Sequence, residues 1–310
     1  MTTKQWNSLS NEYLYGRPLY PVAPLSWLAP LWSFICGVVA SAAWTWTGGS
    51  LLRLLSGLLL VGPLLGIAWG ASTRTKWRRK PRSDAPGNIA QEPIPALPYT
   101  LPGSASHRLV TWLCAVSAWW QRVKPRLGRP LVQLVVGSLF SLTVAAQLGW
   151  QSLALTVVGL VVAYASGFGY RRWASSPLIS VSVPLFLTWL LGHSAYSPLH
   201  PASVLVAASF ALTFYGRSVL NQGLKESSRG SSLLAHGLLW QVVPQAAVAA
   251  SLVAVRQPIV AAVAALLGTP QLLLASLLET QPGRQRYFRA VQFQVVMSMF
   301  LTALALGHKP

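Results

Sequence analysis

Nine apolar stretches, nearly free of charge, dictate most of what this 310-residue chain can become. A bilayer core about 30 Å thick takes roughly 20 residues of α-helix at 1.5 Å each. The stretches cover about Trp27–Trp46, Leu51–Ala71, Leu131–Gly149, Ser152–Phe168, Leu178–Leu191, Ser203–Leu220, Leu233–Val255, Ile259–Leu278 and Ala290–Leu306. They predict an all-α, polytopic membrane protein with nine transmembrane helices. Pro184 lies inside the shortest run and is tolerable there if neighbours satisfy the freed carbonyl. The segment His107–Arg122 is shorter, with basic residues and Trp at its ends, and reads as a helix lying in the interface. Residues 1–26 read as a polar N-terminal segment without the apolar region of a signal peptide. Residues 27–310 read as one transmembrane domain that includes a basic loop at 72–130.

Charge orients these spans. The chain has 24 Lys and Arg against five Asp and Glu, a net charge of +19, and only 9% charged residues overall. With the N-terminus cytoplasmic, every basic residue except Arg53, Arg256 and Lys309 falls on the inner side. The bias matches the positive-inside rule over nine alternations. The expected location is therefore the inner membrane, with the C-terminus on the opposite side. Fourteen Trp suit interfacial anchoring. A nucleic-acid binder shares the basic balance but not a mean hydropathy of +0.48, so no nucleic-acid partner is expected. Two cysteines, Cys36 and Cys114, both in apolar runs, exclude a disulfide scaffold and read as buried apolar residues. A transporter would carry polar or ionisable groups in mid-span, and these spans have almost none.

The first span contains Pro24, Trp27, Pro30, Trp32, Phe34, Cys36 and Gly37 at a spacing that resembles the opening helix of chlorophyll and bacteriochlorophyll synthases. These enzymes belong to the UbiA-type prenyltransferase superfamily. Further likenesses follow in order: GPLLG ending at Gly66, SGFGYRRWASSPL from Ser166, NQGLKESSRG from Asn221, GTPQLLL from Gly268 and LALGHKP from Leu304. The resemblance covers nearly the whole chain and implies a nine-helix bundle with a lateral cavity for a tetrapyrrole and a long isoprenoid chain.

It also implies a reaction, esterification of a chlorophyllide propionate by an isoprenoid diphosphate. Two acidic motifs serve that reaction by holding Mg²⁺, a hard cation that needs oxygen ligands and bridges to phosphate. Matched without gaps from the GPLL anchor, the first motif's positions here are Thr73, Arg74, Trp77 and Pro81, with the family's Arg surviving as Arg78. In the second motif Asn221 is kept, the acids fall on Gln222, Ser227 and Arg229, and Glu226 lies one residue out of register. A unit charge about 4 Å away at an effective dielectric near 20 is worth about 4 kcal/mol. Arg74 and Arg229 at former ligand positions would thus repel the metal, and the Mg²⁺ site is expected to be lost.

The expected function follows from that loss: a catalytically inactive synthase-like protein. It would serve as a structural, accessory or pigment-binding subunit, or an assembly factor, of a photosynthetic reaction-centre or light-harvesting complex. No cofactor is required, and bacteriochlorophyll, carotenoid, quinone or lipid are the candidates for bound ligands. Expected partners are membrane lipids and photosynthetic subunits. The alternative is a divergent membrane prenyltransferase that esterifies a chlorophyllide or prenylates a quinone precursor. Among the histidines, His236 near the start of the seventh span is the best candidate axial ligand for a chlorophyll Mg. His107, His193, His200 and His308 are expected in hydrated loops or at interfaces. Asn221 is expected to cap a helix end.

Overall fold

The computed structural model describes residues 28–74, 105–168, 176, 178–224 and 230–308. Its described residues form helices and short connections with no strand. The first helix, α1, is Leu28–Ala40, shorter than the expected first span because the chain turns at Ala42, whose φ is +55°. Next comes α2, Gly48–Leu59, whose N-cap Thr47 accepts a hydrogen bond from the Ser50 N–H. A π-helical turn at Leu60–Leu64 holds Pro63, which has no N–H to donate, and α3 continues over Leu65–Arg74.

Helix α4 spans Ala105–Leu148, 44 residues without a break. The interfacial helix expected at 107–122 is instead the first part of this helix, and the basic loop expected over 72–130 is helical from Ala105 onward. At 1.5 Å per residue, α4 is about twice the bilayer core. Only Leu131–Leu148 is apolar enough to span. The helix runs on past Pro125, Gly128 and Pro130, where periodicity alone suggested an end.

Helix α5 is Trp150–Phe168. A π-helical turn at Leu178–Ser182 leads into α6, Val183–Ser194, and Pro184, which has no N–H to donate, lies just past the change from π to α. Helix α7 is Pro201–Gly223 and α8 is Gly230–Ala254. The expected eighth span divides into α9 (Pro258–Gly268), a short α10 (Pro270–Leu273) and a 3₁₀ turn at Leu274–Glu279, with Pro270 at the break. Helix α11, Gln281–Gly307, ends the described chain.

Among the described residues, six helical segments are long and apolar enough to cross a membrane: Gly48–Trp69, Leu131–Leu148, Pro201–Gly223, Leu233–Ala254, Pro258–Leu278 and Arg286–Gly307. The remaining three expected spans correspond to shorter apolar helices, Ala29–Ala40, Trp150–Ser166 and Leu178–Ser194.

Two cores share a two-helix spine. Phe34 and Val38 on one face of α1 join Leu191 of α6 in a core with Leu60, Val61, Ala145 and Leu148. Cys36 and Ala40, on the other face of α1, join Leu185 and Trp189 in a larger core with α7, α8, α9 and α11. Residues four apart share a helix face, so the two pairs two residues out of step point to opposite sides. The spine is tight because Gly37 lies against the Trp189 carbonyl and Gly192 against the Phe34 carbonyl, each leaving no room for a Cβ. Small residues of this kind let helix backbones approach where lipid supplies no hydrophobic drive. Ser33 Oγ donates to the Leu185 carbonyl at 2.8 Å across the same contact, and Trp32 Nε1 ties α1 to α11 through the Val296 carbonyl at 3.3 Å.

Gly192→Ala is expected to lower stability by about 1–3 kcal/mol, the usual cost of overpacking. Gly66→Ala, where the added carbon meets nothing within 4 Å, is expected to hold or raise it. Thermal unfolding in detergent compares the two.

Candidate functional site

Of the positions matched to the two acidic motifs, those described lie near the ends of α3 and α7. Thr73 and Arg74 form the end of α3, while Trp77 and Pro81 lie outside the described residues. Asn221 and Gln222 occupy the last turn of α7, and Ser227 and Arg229 lie outside the described residues. Of the five carboxylates in the chain, Glu279 alone falls among the described residues. No group of three His, Cys, Asp or Glu comes together among them.

Asn221 does not act as the expected cap. It is partly buried, and its Nδ2 has no hydrogen-bond partner. The chain leaves α7 through Leu224, whose N–H bonds back to the Leu220 carbonyl. Close packing explains this: Gly223 is pressed against Leu233 of α8, and Gly216 against the backbone of Gly237 and Trp240.

One helical turn before Asn221 stands Arg217. Its Nη2 donates to the Phe288 carbonyl at 3.0 Å and to Gln292 Oε1 at 3.2 Å, and its guanidinium lies 5.5 Å from the Phe288 ring centroid. It thereby clamps α7 to α11. Nearby, Gln241 of α8 is fully buried; its Oε1 accepts from the Tyr287 hydroxyl at 3.0 Å, while its Nε2 has no partner. Thr213, Phe214, Arg217, Gln241, Val291 and Val295 meet between α7, α8 and α11 without leaving room for a water molecule. Gln271, 1% exposed, leaves both amide atoms without partners. Chemically, this region donates hydrogen bonds and carries positive charge.

Sequence reasoning missed Gln241, Tyr287 and Gln271 because Gln and Tyr do not interrupt an apolar run. Arg217 was readable as a topology signal, yet an ionisable residue within a span is itself the mark of a polar site.

His236 is exposed on α8, and its Nε2 accepts a hydrogen bond from Trp240 Nε1 at 2.9 Å. An indole N–H only donates, so this bond places the neutral ring's proton on Nδ1. Ligation of a chlorophyll Mg through Nε2 therefore requires Trp240 to let go. Tyr215 packs edge-on against Trp240 with centroids 5.9 Å apart, holding the indole in place.

His193 departs from expectation. It is buried at 4% exposure on the last turn of α6, with Nε2 near the Pro198 carbonyl (3.1 Å) and Nδ1 near Ser203 Oγ (3.3 Å). Ser203 Oγ also accepts from Trp189 Nε1 at 3.0 Å. The histidine joins the α6–α7 connection to the spine and is not a hydrated loop residue. His200 serves as the N-cap of α7, accepting from the Ala202 N–H through Nδ1. Cys36 is fully buried in the larger core, as expected.

With this geometry in place, the chain is similar to the bacteriochlorophyll synthase 34 kDa chain of Chloroflexus aurantiacus, 29% identical over 224 residues. The match takes in 70% of this chain and 61% of that relative, so the chain spans about three fifths of the relative's length. No family model matches the chain, and no solved structure matches it.

The Trp240 bond makes a specific prediction. In ¹⁵N-labelled protein, His236 should show the tautomer with the proton on Nδ1, and Trp240→Phe should shift it toward the tautomer protonated at Nε2. Identical ¹⁵N shifts in both proteins would show that the indole does not set the ring.

Proposed function

We propose that this chain is a bacteriochlorophyll-synthase-like membrane protein without catalytic activity. It acts as a structural, accessory or pigment-binding subunit, or an assembly factor, of a photosynthetic reaction-centre or light-harvesting complex. It sits in the inner membrane with its N-terminus cytoplasmic and its C-terminus on the opposite side. One observation carries the reading: the positions matched to the two metal-holding motifs are Thr73, Arg74, Trp77, Pro81, Gln222, Ser227 and Arg229, none of them a carboxylate. A divalent ion that keeps several waters still needs one or two carboxylates. Loss of the members of a catalytic unit is not compensated by remaining binding contacts.

The similarity to a named bacteriochlorophyll synthase supports a pigment-related setting. Lipid-facing surface supports partnership within the membrane. The segment Pro258–Leu278 buries only 17% of its residues, and Ile259, Leu266 and Leu273 are among its exposed side chains. The same similarity also favours the alternative, a divergent membrane prenyltransferase, because the relative is named as an enzyme.

Purification tests the reading. Solubilised in mild detergent from a photosynthetically grown cell, the protein is expected to migrate with a reaction-centre or antenna complex. A fixed ratio to that complex indicates a subunit, and a small, growth-phase-dependent fraction indicates an assembly factor. Migration always apart from pigment–protein complexes contradicts both.

A further inference from the structure

We propose that the part of α4 that precedes its membrane-spanning segment is a docking surface for an acidic amphipathic helix of a partner protein. The inference does not rest on loss of catalysis; it stands on the register and charge of one helix. Only Leu131–Leu148 of α4 is apolar enough to span. Residues 105–130 are then a helical extension about 39 Å long at 1.5 Å per residue. Within it Leu109, Leu113, Val116, Trp120, Val123 and Leu127 follow one another at alternating steps of four and three. That alternation is the a/d repeat of a coiled coil, and it places the six positions along one narrow face of the helix. Both flanks of this seam are open among the described residues. Trp112, one position before Leu113, is 64% exposed, and Ser117, one position after Val116, is exposed on the other flank. The residues that α4 gives to the smaller core, Val144, Ala145 and Leu148, all belong to the spanning part.

Charge selects the partner. Residues 105–130 hold five Lys and Arg and no Asp or Glu. Arg108, Arg122 and Arg129 recur at multiples of seven and share one row beside the seam, with Arg126 between that row and the seam and Lys124 at the opposite edge. In a coiled coil the positions flanking a and d pair with opposite charge on the facing helix, so the fitting partner is acidic there. A second copy of this chain brings the same basic edges, and facing like charges repel. Anionic lipid headgroups would also attract a basic helix, but the geometry carries the seam away from them. Proline kinks a helix, whereas lying flat on the membrane takes a turn near a right angle, and α4 has no break. Arg108 stands about 35 Å along the axis from Leu131, and surface charge is screened over about 8 Å at physiological ionic strength.

The test uses the full chain in lipid nanodiscs and two synthetic four-heptad peptides, both with Leu at a and d, one with Glu and the other with Lys at e and g. Peptide binding and amide hydrogen exchange over residues 105–130 are the readouts. Saturable binding of the Glu peptide is expected, with exchange slowed over residues 109–127. The Lys peptide should bind about tenfold more weakly or less, and Leu113→Glu should weaken the Glu peptide by a similar factor. Lys124→Glu combined with Arg126→Glu should reverse the preference between the two peptides. None of these positions belongs to either described core, so the variants should melt as the wild type does. Absence of saturable binding of the Glu peptide overturns the proposal, as does wild-type affinity in Leu113→Glu or equal affinity for the Lys peptide. Exchange that is already slow without peptide overturns it too. Slowing that depends on phosphatidylglycerol in the disc assigns the seam to the lipid surface, and slowing that depends on the number of chains per disc assigns it to a second copy. Slowing that depends on neither assigns the seam to another segment of this chain.

Discussion

The α1–α6 crossing is the contact on which the rest of the molecule depends. Gly37 and Gly192 place each helix against a carbonyl of the other, and no side chain separates them. Within a bilayer, association comes from such packing and from polar contacts between helices, because lipid is as apolar as leucine. Ser33 adds one such contact at the crossing itself. The spine then offers two faces, one to α2, α4 and the π-turn at Pro63, the other to α7, α8, α9 and α11. Arg217 is positioned by α7, which packs on α6 of the spine, and Gln241 by α8, which packs on α7.

The electrostatics of the chain run in one direction. In the proposed reading, the positions matched to the two acidic motifs carry neutral or basic side chains. The described interior continues the trend with amide and guanidinium donors at Gln241, Asn221 and Arg217.

Much of the architecture was legible in the sequence because it follows from one physical requirement. Apolar runs of sufficient length must be helices in lipid, and the described helices fall where those runs are. The misreadings have local causes. Ala42 ends α1 early through a left-handed turn that no apolar count reveals. Arg and Trp beside His107–Arg122 suggested an interfacial piece, but they also suit a helix that continues out of the membrane, and α4 does so. His193 looked like a loop residue because its neighbours in sequence are polar. Its partners Pro198 and Ser203 close the turn over it and bury it. The site was less legible. Gln241 and Tyr287 meet only because α8 and α11 pack together, a relation between residues 46 apart in sequence. The bond from Trp240 to His236 is local, at four residues' spacing, and a reading of helix faces would have found it.

The central proposal is that the chain is a bacteriochlorophyll-synthase-like membrane protein without catalytic activity. Turnover tests it most directly. The purified full chain in lipid nanodiscs is incubated with a chlorophyllide and a geranylgeranyl or phytyl diphosphate, with and without Mg²⁺, beside an active bacteriochlorophyll synthase as control. No esterified pigment above the protein-free background is predicted in either condition. An ester that accumulates with time and depends on Mg²⁺ would contradict the account and establish the chain as an enzyme.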